Sequence, residues 1–132
     1  MTSKSKDLSI ILAPISLGEL IDKITILEIK SAHMAGEKLK NVNRELELLK
    51  FILEDRDLKV DTDFIKNLKE INKRLWEIED KIRMKENKKQ FDKEFIELAR
   101  SVYKENDLRA TIKKEINQKY NSNLVEEKSY KE

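Results

Sequence analysis

Apolar residues along this chain recur at intervals of three and four in successive runs separated by polar breaks, a pattern that predicts about four helices. The first run, PISLGELIDKITILEIK at 14–30, is the most hydrophobic and has the clearest start. Ser16 is placed as an N-cap, Glu19 completes a capping box, and Ile15 and Leu20 flank the cap as a hydrophobic staple. Leu17, Leu20, Ile21, Ile24 and Leu27 form one apolar stripe, and Glu28 falls inside it. Ile26 and Ile29 lie on the opposite side, beside Glu19, Asp22 and Lys23. A helix apolar on two sides is covered on two sides, by its own bundle and by a second layer or a partner chain. This helix, from Leu17 to the early thirties, is therefore expected at the centre.

A turn is expected over Ser31–Glu37, then a second helix over Glu37–Glu54 with Leu39, Val42, Leu46, Leu49 and Leu53 at 3-4-3-4 spacing. The polar stretch Glu54–Asp63 leads into a third helix, about Asp63 to Lys85. There Phe64, Leu68, Ile71, Leu75, Ile78 and Ile82 keep an unbroken stripe, flanked by Asn72, Trp76, Glu79 and Arg83. After a turn at 86–91, Asp92 caps a fourth helix from Lys93 to about Lys119, roughly 40 Å long at 1.5 Å per residue. Its stripe of Phe95, Leu98, Ala99 and Val102 resumes at Ile116 and Tyr120, and the same sector between them holds Asn106, Arg109 and Lys113. The fold class is thus all-α. It is an antiparallel bundle over 15–120, with a short extended N-terminal arm (1–14, apolar at 8–13) and a polar C-terminal tail (121–132), in a single domain over 1–132.

Composition narrows the function more than it defines it. The 132 residues are 39% hydrophobic and 41% charged, with two glycines and one proline, which suits long helices with solvated outer faces. Twenty-eight basic and 26 acidic residues are mixed along the chain, so no electrostatic footprint for nucleic acid stands out at a net charge of +2. The absence of cysteine excludes disulfides and thiolate metal sites, and one histidine, His33, excludes a multi-histidine site within one chain. An oxygen-ligand site for Mg²⁺ stays open, and no metal or cofactor is assigned. Lys4 and Lys6 precede an apolar run too short for a signal-peptide core, and no stretch approaches a membrane span, so a cytoplasmic protein is expected.

The candidate chemistry lies where polar residues interrupt apolar stripes. Glu28 on the first helix and Asn106, Arg109 and Lys113 on the fourth are placed to meet inside the bundle, because a buried carboxylate needs a cation or donor. Such a cluster could bind a small anionic ligand, with Arg109 as a forked donor. Two alternatives need no ligand: a buried ion pair that sets helix register, or a kink near Asn106–Asp107 that turns Arg109 and Lys113 to water. Ile26, Ile29, Trp76, Glu79 and Arg83 are candidate interface residues, a lone Trp beside a stripe being a common anchor. His33, at a helix end, is assigned no role. The ExxD pairs Glu19/Asp22, Glu54/Asp57 and Glu77/Asp80 and the ExxE pair Glu94/Glu97 occur in the reverse of the order that a helical pyrophosphohydrolase would need for Mg²⁺. The first helix also has the rhythm of an all-helical mutase, but the arginines such a site needs are missing near it, Arg44 being the first.

Taken as a whole the chain resembles a small helical domain family of unknown function found in bacteria and marine phages. The resemblance is carried by ISLGELIDKITILEIK (15–30), KLKNVNREL (38–46), LWEIEDKIR (75–83), FDKEFIELARSVYKENDLRATIKKEIN (91–117) and LVEEKSY (124–130), with SAHMAGE at 31–37 as the departure. It implies an all-helical fold and no established activity. The expected function is a self-associating helical interaction module, a homo-oligomer that binds neither nucleic acid nor membrane. The alternative is a small enzyme or ligand-binding protein with a polar pocket for a carboxylate- or phosphate-bearing molecule.

Overall fold

The computed structural model describes residues 9–129. Four helices account for most of them: α1 (Leu17–His33), α2 (Gly36–Asp55), α3 (Thr62–Asn87) and α4 (Lys93–Lys119). There is no strand among the described residues, and residues 9–16 are irregular. Leu8 of the apolar arm, Lys4, Lys6 and Tyr130 of the tail lie outside them.

Local chemistry sets the helix ends. Ser16 caps α1 by accepting from the Glu19 backbone N–H at 3.1 Å, and Asp92 caps α4 by accepting from that of Phe95 at 3.0 Å. The capping box at α1 is only half made, because the Glu19 carboxylate lies instead 2.7 Å from Lys113 Nζ. Ile15, the proposed staple residue, is 41% exposed. Three of the ends share one device. Asp57, Lys89 and Asn121 adopt left-handed φ of 51°, 55° and 54°, and the next residues' N–H groups reach back to Leu53, Lys85 and Asn117 carbonyls. The first turn is tighter than expected: α1 continues to His33 and α2 starts at Gly36, whose φ of 63° suits glycine.

As its two apolar sides foretold, α1 is central. It packs on α2, α3 and α4, whereas α2 packs on α1 alone. Its first stripe buries Leu20, Ile24 and Leu27 against Val42 and Leu46 of α2. Ile21 is buried in a second cluster with Leu68 of α3 and Ile116 of α4. Hence the second apolar side of α1 is covered by its own chain: Ile29 is 3% exposed and Ile26 half-buried. Along α3 and α4 the contacts run in opposite senses, Asp61 meeting Lys119, Arg74 meeting Glu105 and Lys85 meeting Asp92. These two helices are longer than α1, and no residue from 76 to 112 is fully buried.

Candidate functional site

A polar cluster forms where α1 meets α3 and α4, and Asp22 is its centre. The residue is fully buried. Its Oδ1 accepts from Asn72 Nδ2 at 3.0 Å and from Arg109 Nε at 2.8 Å, while Oδ2 accepts from Arg109 Nη2 at 2.5 Å. This is the two-point match of guanidinium to carboxylate that makes an arginine pair directional. Asn72 also donates to Thr25 Oγ1 at 2.9 Å, and Thr25 donates to the Asp22 carbonyl at 2.8 Å. A buried charge is tolerable because both carboxylate oxygens have a donor and one of the donors is a cation.

One turn along α4, Lys113 is almost as deeply buried. Its ammonium lies 2.7 Å from Glu19, 3.1 Å from Glu126 and 4.0 Å from Asp22. Burial alone would depress the lysine pKa, but hydrogen bonds to Glu19 and Glu126 together with the charges of Asp22 and Glu19 outweigh it, and the value is raised. Arg109 is likewise raised, first by its hydrogen bond to Asp22 and against the effect of burial. Both groups are held as cations. Glycine permits the approach of α1 to α4 here: a methyl on Gly18 would lie 2.5 Å from the Lys113 carbonyl oxygen. The Gly18 N–H donates to Asn117 Oδ1 at 2.7 Å.

Between these elements and the C-terminal segment lies a cavity of about 200 Å³, lined by Glu19, Asn106, Arg109, Ala110, Lys113, Glu126 and Lys128. Asn106, Arg109 and Lys113, the three residues placed together from the sequence, all line it. The helix is continuous through Asn106–Asp107, so Arg109 and Lys113 do not turn to water. Asn106 Oδ1 accepts from Arg109 Nη1 at 3.2 Å. Glu28 is elsewhere: its carboxylate lies between Lys50 of α2 at 3.5 Å and Lys69 of α3 at 3.6 Å. Being one helical turn and a half beyond Asp22, it faces the α2–α3 side of α1. The acidic partner of Arg109 is Asp22.

Sequence reasoning therefore missed Asp22, Thr25, Asn72 and Asn117. A signal existed, because Asp22, Ile26 and Ile29 are spaced i, i+4 and i+7 on the second apolar side of α1. Of the proposed interface residues, Ile29 is buried inside the chain, and Trp76 stacks on the His33 ring with centroids 4.7 Å apart. Glu79 and Arg83 are exposed on α3.

The chain belongs to a family of unknown function, DUF6165, whose profile matches residues 11–132. No curated protein and no solved structure shows significant similarity to it. No helix among the described residues is long and apolar enough to cross a membrane.

Proposed function

We propose that the cavity beside Arg109 and Lys113 binds a small anion bearing a carboxylate or phosphate group. The observation that carries this reading is the state of Arg109. Asp22 and Asn106 take three of its five N–H groups and fix the guanidinium, which leaves two N–H groups on a side chain that lines the cavity. Fixing a donor before the ligand arrives lowers the ordering cost of binding. The volume suits a phosphate or a short carboxylic acid, since drug-sized ligands occupy about 300 Å³ or more. Lys113, kept charged, serves as an electrostatic anchor and not as an amine nucleophile. The reading is therefore one of binding, in a cytoplasmic setting, without an assigned reaction.

Addition of millimolar phosphate or succinate should raise the melting temperature of the full chain, because a ligand that binds only the native state stabilises it. Arg109→Lys keeps a cation for Asp22 but loses the fork, and should abolish that rise while the variant remains folded by circular dichroism. If neither anion moves the melting temperature of the unaltered protein, the binding reading is wrong.

A second reading, self-association, rests on a separate observation. Ile78, Ile82, Phe95, Leu98 and Val102 continue the α3 and α4 stripes beyond the reach of α1 and stay partly exposed, with Phe91 at 57% and Ile96 at 56% beside them. A second copy offers the same pair of stripes, and a two-fold arrangement makes that surface self-complementary. Sedimentation should then show a dimer that Phe95→Ser with Ile96→Ser dissociates; a monomer at about 100 μM, far above a micromolar dissociation constant (about −8 kcal/mol), would refute it.

A further inference from the structure

We infer that Glu126 is a built-in competitor for the anion site: its carboxylate takes the place on Lys113 that a ligand's anionic group would occupy, so residues 124–129 release when ligand binds. The inference rests on the reading of the cavity as an anion site and adds how that site is governed.

Lys113 has two close carboxylate partners of different kinds. Glu19 sits on the first turn of α1, a helix held by the core. Glu126 sits on a segment with no regular structure, in which every residue from 123 to 129 is exposed. The fixed part of that segment ends at Ser122, whose N–H donates to the Asn117 carbonyl at 2.8 Å and whose hydroxyl oxygen accepts from the Leu17 N–H at 3.3 Å. Beyond it, the ties to the body include Glu126 on Lys113 and Glu127 on Lys114 at 3.8 Å. Leu124 and Val125 remain 43% and 39% exposed, so little apolar burial holds the segment down.

Charge bookkeeping points the same way. Asp22 balances Arg109 and Glu19 balances Lys113, so Glu126 offsets the third lining cation, Lys128, and leaves the cavity without net positive charge for an incoming anion. An anion entering with Glu126 in place would meet a like charge; an anion replacing it would inherit the Lys113 contact and gain the two unused N–H groups of Arg109. Partly exposed ion pairs are weak, so a closed segment favoured several-fold over an open one is the expected scale. The apparent affinity of the site falls by the fraction of time it is open.

The test is titration of the full chain with inorganic phosphate by calorimetry, for the unaltered protein and for Glu126→Gln and Glu127→Gln. Glu126→Gln should tighten phosphate about four- to tenfold, as expected if the closed form is favoured by that ratio. Glu127→Gln, whose carboxylate does not line the cavity, should change it less than twofold. Equal affinity of the unaltered chain and Glu126→Gln overturns the competitor while leaving the anion site standing, as does an equal gain in Glu127→Gln. No phosphate binding in any of the three, with all folded, overturns the anion site itself.

Discussion

The two ends of the α3–α4 hairpin carry the same apolar stripe and have opposite fates. Near α1, Leu68, Ile71 and Leu75 are 0%, 4% and 8% exposed. Beyond α1, Ile78 and Ile82 continue the spacing and remain partly open. The charges differ in depth as well: Asp22 and Lys113 are buried and held by several partners, whereas at the far end Lys85 meets Asp92 and Glu94 at the surface and Lys93 and Glu97 form a solvated pair 4.0 Å apart. A periodic stripe therefore states which face is available for burial. Contact with α1 decides whether burial happens, and only where it does is a charge enclosed and fixed by several partners.

The sharpest way to break this contrast is at Asp22. Asp22→Ala would leave Arg109 and Asn72 facing a void where their acceptor was, and removal of one partner of a buried pair costs about 3–5 kcal/mol. Urea denaturation should show a loss of that size; a loss below about 1 kcal/mol would mean that the network does not hold α1 to α4. The hydrophobic halves compare directly through Leu68→Ala and Ile82→Ala. The first removes a fully buried side chain and should cost about 2–5 kcal/mol, the second about 1 kcal/mol because water already reaches that site. Equal losses would show that something covers the far end in solution, which is what self-association predicts.

Gly18→Ala should cost about 1–3 kcal/mol, the range for overpacking, since the new methyl meets backbone of α4 that cannot rotate away. Because Gly18 adjoins the Lys113 turn, the same variant should also weaken phosphate binding if the cavity is the anion site. A stability loss without a binding loss would separate the packing of the covered end from its chemistry.

Much of this was legible in the residues. The four helices follow from stripe spacing, the start of α1 from Ser16, and the bounds of α4 from Asp92 and the stripe that resumes at Ile116. Asn106, Arg109 and Lys113 are recognisable because an amide and two cations in an apolar sector need compensating partners inside. The partner itself was misread. Glu28 interrupts the stripe that faces α2, and although the spacing of Asp22 with Ile26 and Ile29 marks a second apolar side, it does not say that α3 and α4 enclose that side. That distinction depends on which helices pack together, and so does the role of Glu126, whose contact with Lys113 spans a chain reversal at Asn121. Local spacing carries neither.

The smallest expected effect tests the exposed end through pH. The hydrogen bond from Lys85, supported by the Phe95 N–H, holds the Asp92 carboxyl below the ordinary aspartate range. A carboxyl depressed in the folded state adds stability above its unfolded pKa, and that contribution disappears as pH falls through the depressed folded value. Asp92→Asn keeps an N-cap for α4 but has no charge to titrate. The denaturation midpoint of the unaltered chain should therefore fall more between pH 5 and pH 2, roughly the window of an aspartate with a lowered pKa, than that of Asp92→Asn. Identical acid limbs would mean that the Lys85–Asp92 pair is as weak in solution as its exposure allows, leaving the far end of the hairpin with neither packing nor electrostatics to fix it.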